Sequence, residues 1–313
     1  MNVTSAAPPQ APLIFITGAS SGMGQALARC YAQAGWRLAL LARRDELLQQ
    51  WIDEQGWSPQ MAQAYGADVS QPDQVAQAAQ RCVSQQGWPD VVVANAGISV
   101  GMDMADARDL AVLHDTLNTN VTGVAATFQP FVQAMRDRGS GTLVGVASVA
   151  AVRGLPGHAA YCASKAAVVA LCESLRGECR GSGVRVLTLL PGYVATPLTA
   201  GNRYPMPFLM SADDFAQQAF RAIEAGVSER VIPWPMAVVA ALLKVLPNAW
   251  FDRLFAGRGR KQRDDRQGQR HVARGDQREL VAVHEHGTEP EAAHRERSEE
   301  HTSELQSRLH LVC

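Results

Sequence analysis

Tyr161 and Lys165 stand four residues apart in Tyr161-Cys162-Ala163-Ser164-Lys165. That spacing puts both on one face of a helix. A phenol ordinarily titrates near about 10, too high to exchange its proton readily at neutral pH. An ammonium beside it favours the phenolate and lowers that value. The pair is therefore suited to giving a proton to a carbonyl oxygen or taking one from an alcohol. Lysine occurs only at 165, 244 and 261, the other basic residues being arginine. Its use here points to a task for a compact charge rather than a planar guanidinium. Ser148, thirteen residues before Tyr161 and just after an apolar run, adds a hydroxyl able to polarise the same oxygen. Singly, each has an ordinary alternative: a packed aromatic, a surface charge, a cap.

A second constellation is Thr17-Gly18-Ala19-Ser20-Ser21-Gly22-Met23-Gly24, which follows the first apolar run and opens the first helical stretch. Glycines there permit close approach of a pyrophosphate, and a helix N-terminus offers unpaired N–H groups and partial positive charge. The alternative is a tight strand-to-helix turn. The second strand ends Leu41-Ala42-Arg43-Arg44. Dinucleotide folds that prefer NAD usually carry an acid at this strand end for the ribose 2′-hydroxyl. Here that position is Ala42, and Arg43 (the principal contact) with Arg44 offers guanidinium groups for a 2′-phosphate. Asp45, the nearest acid, is expected to cap the next helix. NADP(H) is the expected cofactor; NAD(H) is the alternative if both arginines are only solvated surface charges.

The spacing T-G-x-x-x-G-x-G, together with Y-x-x-x-K, resembles the short-chain dehydrogenase/reductase family over Leu13 to Val231. The resemblance implies roles for further residues. Asp68-Val69 matches the family's adenine-contacting pair. Asn95-Ala96-Gly97 matches its N-A-G motif, whose Asn stabilises the central sheet and whose Gly lies near the cofactor. Asn120 matches the fourth catalytic position, beside Ser148, Tyr161 and Lys165, where it helps hold a water that relays protons to the lysine. Pro191-Gly192-Tyr193-Val194-Ala195-Thr196 matches the P-G motif, whose threonine contacts the nicotinamide carboxamide. The implied cofactor set is Thr17, Gly18, Ser20, Ser21, Gly22, Met23, Gly24, Arg43, Arg44, Asp68, Val69, Asn95, Ala96, Gly97, Tyr161, Lys165, Pro191, Gly192, Val194 and Thr196. No metal is implied. A homodimer or homotetramer, paired through the helices near 118–138 and 161–180, is expected by resemblance.

The elements that must position these groups alternate. Apolar strands are predicted at 13–16, 37–42, 61–67, 91–94, 142–147 and 184–190. Helices are predicted at 23–34, after Asp45, and at 73–86, 118–138 and 161–180. Near-continuous apolar strands imply burial on both sheet faces. The alternation implies right-handed crossovers, hence an α/β fold: a single-domain Rossmann-type doubly wound parallel sheet.

Composition bounds the rest. The 313 residues carry a formal net charge of −1, which argues against a nucleic-acid partner and against a membrane hold by charge alone. Hydrophobic residues make up 47%, enough for a sizeable core. The six cysteines form no C-x-x-C pair and read as reduced thiols of a cytoplasmic protein. The N-terminus lacks a secretory pattern.

The predicted organisation is an N-terminal arm (1–12), the cofactor-binding domain (13–231), an apolar helical extension (232–256) and a disordered tail (257–313). The tail holds six of the eight histidines, 22 charged residues and no aromatic, too little apolar surface to offset ordering. Its run Arg297-Ser298-Glu299-Glu300-His301-Thr302-Ser303-Glu304-Leu305-Gln306-Ser307 resembles a translated sequencing adapter, so the tail reads as partly a sequence artefact.

The loop between Thr196 and Ser211 contains Tyr204, Pro205, Met206, Pro207, Phe208, Leu209 and Met210, which suggests an apolar lid and an apolar substrate. Ser211, with Asp214 three residues on, caps the next helix. In the extension, Met236–Leu243 is too short for the roughly 20 residues a bilayer span needs. It could lie on a membrane surface or cover the pocket, but a helix packed on the core or on a subunit partner is preferred. The expected activity is NADP-dependent interconversion of a carbonyl and an alcohol, running as reduction where the NADPH pool is reduced. The alternative is a catalytically idle NADP-binding protein on the same fold.

Overall fold

The computed structural model describes residues 11–202 and 205–256. Most of the expected N-terminal arm, Tyr204 and the whole expected tail lie outside the described residues. Seven parallel strands are ordered β3-β2-β1-β4-β5-β6-β7. They are β1 (Leu13–Thr17), β2 (Arg37–Ala42), β3 (Ala62–Gly66), β4 (Val91–Ala94), β5 (Gly141–Val146), β6 (Val184–Pro191) and β7 (Glu229–Ile232). Helices α1 (Gly22–Gln33), α2 (Asp45–Glu54), α3 (Pro72–Gln86), α4 (Asp109–Leu117), α5 (Gly123–Arg138), α6 (Ala159–Glu178) and α7 (Ala212–Glu224) fill the crossovers.

Period two in a strand sends alternate side chains to opposite faces. In β1, Ile14 and Ile16 enter a core shared with Leu27 and Tyr31 of α1, Ile52 of α2 and Phe215 of α7. Leu13 and Phe15 enter the other core, with Val75 of α3, Phe128 and Phe131 of α5 and Val168 of α6. All five β1 residues are buried, which explains why the first four form an unbroken apolar run.

Four expectations need revision. The helix expected at 118–138 begins earlier: α4 runs into a π-helical stretch, Asn118–Thr122, and only then into α5. Asp45 lies in the first turn of α2, and Arg44 holds the N-cap position. β7, short and exposed over its first two residues, was not expected. The extension forms two helices, α8 (Trp234–Val245) and α9 (Asn248–Phe255). The Ser211 cap is present, its Oγ accepting from the Asp214 N–H at 3.0 Å.

Candidate active site

β1 and β4 are sheet neighbours, yet the helices they lead to pack on opposite faces, which opens a crevice at their carboxyl ends. Two side chains stitch this point. Thr17 Oγ1 accepts from the Asn95 and Ala96 N–H groups at 3.2 and 3.3 Å. Asn95 Nδ2 donates to the carbonyls of Thr17 and Gly18 at 3.0 and 3.2 Å. Gly18 has φ +67°, and a Cβ there would stand 2.7 Å from the Ala96 Cα. A Cβ on Gly24 would strike the Gly18 carbonyl oxygen, so Gly24 lets α1 approach its own loop.

The crevice holds a cavity of about 270 Å³. The Gly18–Met23 loop forms one wall. Arg43, Arg44, Asp68 and Val69 close one end, and Tyr161, Lys165, Gly192, Val194 and Thr196 the other. Ser20, Ser21, Gly22, Asn95, Ala96, Gly97, Ser148 and Pro191 line it as well. Three expected residues do not line it: Thr17 and Gly24, which shape the loop, and Asn120. Asp45 is also outside; its carboxylate packs where a Gly66 Cβ would stand, 2.7 Å from its Oδ2. Sequence reasoning missed Ile98, Thr119 and Thr199, all of which line the cavity. For Thr199 a signal existed. In Thr196-Pro197-Leu198-Thr199, its Oγ1 accepts from the Thr196 N–H at 3.1 Å and donates to the Val194 carbonyl at 2.7 Å, a local hydroxyl-to-backbone turn.

Lys165 is buried, and its Nζ donates to the Val146 carbonyl at 2.8 Å. The same Nζ lies 5.8 Å from the Tyr161 ring centroid. Burial lowers the Lys165 ammonium to about 8, offset slightly by Cys172. The Tyr161 phenol is raised, not lowered: desolvation outweighs the hydrogen bond with Ser148. The expectation that the neighbouring ammonium lowers it is therefore corrected, because loss of water dominates at this depth. Besides its bond with Tyr161, Ser148 Oγ accepts from the Ala150 N–H at 3.1 Å and donates to the Pro191 carbonyl at a long 3.4 Å. Its hydroxyl hydrogen can thus turn to another oxygen.

Asn120 is fully buried in the π-helical stretch. Its Oδ1 accepts from the Ile98 N–H at 2.8 Å. Its Nδ2 donates to the Ile98 carbonyl and to Ser164 Oγ, both at 2.9 Å. Ser164 Oγ donates in turn to the Tyr161 carbonyl at 2.8 Å. The amide therefore ties the turn after β4 to the helix carrying Tyr161 and Lys165.

A second cavity, about 390 Å³, adjoins the first and shares Ser148, Tyr161 and Gly192 with it. Its floor includes Val149, Leu155 and Tyr193. Met236, Val239, Ala240 and Leu243 of α8 and Leu254 and Phe255 of α9 form its roof. Pro205 and Pro207 of the expected lid also line it, whereas Phe208 and Leu209 are about half exposed and do not. Gly192 lets α8 come close: a Cβ there would be 2.8 Å from Met236 Cγ. The extension was expected to pack on the core or on a subunit partner; instead its buried residues Met236 and Ala240 join neither core and face this cavity, which the two helices cover. Among the described residues, no helix is long and apolar enough to cross a membrane.

A parallel sheet of this order, with a Gly-rich loop at its switch point and a Ser-Tyr-Lys cluster beside it, defines a dinucleotide-fold oxidoreductase. Residues 12–206 match the short chain dehydrogenase family, and the chain belongs to it. It is 41% identical over 238 residues to an uncharacterized oxidoreductase of Myxococcus xanthus, covering 76% of this chain and 94% of that one. Its fold is similar to that of an alcohol dehydrogenase from the archaeon Thermococcus sibiricus, solved with 5-hydroxy-NADP (TM-score 0.62, 28% identity, 71% of this chain and 95% of that one). It is also similar to a short chain dehydrogenase/reductase from Burkholderia phymatum in complex with NAD (TM-score 0.68, 25% identity, 74% and 92%).

Proposed function

We propose that this oxidoreductase interconverts an apolar carbonyl compound and its alcohol using NADP(H). The observation that carries the reading is the shared wall: Ser148 and Tyr161 face both the crevice at the Gly-rich loop and the apolar cavity beside it. A dinucleotide fits the residues of the crevice. Gly18, Gly22 and Gly97 present bare backbone to it and let Ala96, Thr196 and Asn120 pack close behind, and the first turn of α1 offers N–H groups to a pyrophosphate. In this reading Asp68 and Val69 hold the adenine end and Thr196 the nicotinamide end. Arg43, with Arg44, pairs with a 2′-phosphate, because Ala42 stands at the strand end and Asp45 is turned onto Gly66.

When bound, the nicotinamide supplies or removes the hydride. The chain's own groups handle position and the proton. Ser148 turns its hydroxyl hydrogen from the long Pro191 contact to the substrate oxygen. Tyr161 donates its phenolic proton to the same oxygen during reduction, and accepts it back during oxidation. Lys165, held on Val146, presents its charge to the phenolate that forms. Asn120 acts through geometry, fixing Ile98 and α6 against each other. Among the described residues lining the apolar cavity, Arg153 is the one permanent cation, and its guanidinium is engaged with backbone and Asn248. That lining suits an uncharged substrate.

Titration of the full-length protein with NADPH and with NADH, followed by a screen of neutral ketones and aldehydes, tests the reading. Tight, NADPH-preferring binding with turnover supports it. Preference for NADH would overturn the Arg43 assignment alone. Binding without turnover of any carbonyl or alcohol would favour an idle cofactor-binding protein.

A further inference from the structure

The roof over the apolar cavity is anchored unevenly. At its start, α8 is joined to β7 and seated against Gly192. Its outer face is unsupported: Trp234, Val245 and Trp250 are each more than two thirds exposed. At its far end, one side chain gathers the whole roof. Arg153 Nη1 donates to the carbonyls of Leu243 and Leu246, at 2.9 and 2.8 Å. These belong to the end of α8, where carbonyls lack helical partners and a cation is favoured. Arg153 Nη2 donates to Asn248 Oδ1 at 2.9 Å, at the start of α9. The guanidinium also lies 4.2 Å from the Phe251 ring centroid, and Phe251 stacks on Phe255 with centroids 4.5 Å apart. Arg153 itself sits in the loop just beyond the short helical turn Val149–Ala151 that Ser148 caps. One residue therefore links the loop beside the reacting oxygen to both roof helices.

We propose that Arg153 is a positioning residue that latches α8 and α9 over the apolar cavity, so that the closed roof gives the enzyme its preference for long apolar carbonyl substrates. This rests on the carbonyl–alcohol reading for its substrate. A short carbonyl compound needs only Ser148, Tyr161 and the cavity floor. A long one must also be covered by Val239, Leu243 and Phe255, which stay in place only while the latch holds. Arginine suits this task, because its planar fork reaches two carbonyls and an amide at once while its face lies on an aromatic ring.

The test uses the full-length protein, as wild type, Arg153→Met and Arg153→Lys. Methionine keeps an apolar stem and removes the donors; lysine keeps the charge without the fork. Turnover with NADPH (or NADH, if that is preferred) is measured on a series of straight-chain aldehydes. Amide hydrogen exchange of residues 234–255 is followed in the same samples. For wild type, kcat/KM is expected to rise about fourfold per added methylene, as apolar burial dictates. In Arg153→Met, the ratio of long-chain to short-chain kcat/KM is expected to fall about tenfold or more, mainly through KM. Exchange in α8 and α9 is expected to speed up by at least about tenfold, with the strands unaffected. Arg153→Lys is expected to recover part of both.

An unchanged chain-length ratio, or a uniform loss on short and long substrates alike, would overturn the selectivity role. Unchanged exchange in α8 and α9 would overturn the latch. If wild type reduced no aldehyde while Arg153→Met still loosened α8 and α9, the latch would stand and the carbonyl reading would fall.

Discussion

The Lys165 ammonium is tied at 2.8 Å to the carbonyl oxygen of Val146, the last residue of β5. A strand end thereby fixes a charge that one helical turn alone would leave mobile, and fixes it beside Tyr161. The same burial that aims the ammonium lowers it to about 8. In the proposed mechanism, reduction needs that charge when Tyr161 gives up its proton, so kcat/KM for carbonyl reduction is expected to fall as pH rises through about 8. In Lys165→Arg the charge persists at every accessible pH. The overall rate should drop, and the alkaline limb should vanish. A limb that stayed in place in Lys165→Arg would assign it to another group.

The same shift has a consequence for stability. The folded-state value of about 8 lies below the ordinary lysine value of 10.5. Below the folded-state value both states carry the proton, and the folded protein bears the cost of a buried charge. Between about 8 and 10.5 the unfolded chain binds more protons, so stability rises with pH across that window. The full effect is on the order of 3 kcal/mol. Urea unfolding of wild type and Lys165→Met at about pH 7 and about pH 10, on either side of most of that window, measures it. Wild type should gain on the variant at the higher pH. A constant difference would show that burial does not perturb this lysine.

Arg43 and Arg44 border the crevice beside Ala42, and the end of β2 itself carries no carboxylate into it. A charge-assisted bond to a phosphate contributes about 1.5–3 kcal/mol. Arg43→Ala should therefore weaken NADPH by roughly tenfold to a hundredfold, while NADH binding stays nearly constant. Fluorescence titration of both cofactors reads this directly. Equal weakening of the two would mean that Arg43 serves the loop's structure rather than a 2′-phosphate.

Much of this arrangement was legible in the residues. β2 and β4 fall at 37–42 and 91–94, as expected, because strands buried on both faces are written as unbroken apolar runs. The Gly-rich loop, Ser148, Tyr161 and Lys165 could be singled out because short spacings mark them, and the structure brings them to one crevice. What was hidden depends on distant packing. β7 is a short edge element with an exposed start, so no pattern announces it. α4 merges into a π-helical stretch, whose period is neither 3.6 nor 2. α8 is apolar on nearly every side, so periodicity could not tell its cavity face from its solvent face. The rise of the Tyr161 phenol was missed because neighbours along the chain reveal a charge, whereas desolvation comes from residues brought together only by folding.

Asn120 separates a chemical role from a positioning one. Its amide makes three hydrogen bonds, two to Ile98 and one to Ser164, and Ser164 reaches back to the Tyr161 carbonyl. It lines neither cavity. Asn120→Ala would leave the Ile98 N–H and carbonyl without their partner in a half-buried turn, at no more than about 1–3 kcal/mol for each group that water does not reach. The turn carrying Gly97 and Ile98 would loosen where it borders the cofactor crevice, and α6 would lose its tie to that turn. Stability and cofactor affinity should therefore both fall, together with kcat. Asn120→Asp keeps the acceptor for the Ile98 N–H but loses the two donated bonds, so its loss should be partial. Urea unfolding and NADPH titration, run beside turnover, discriminate the cases. A variant that lost turnover alone, with stability and cofactor affinity intact, would place Asn120 in the proton path instead of in the scaffold.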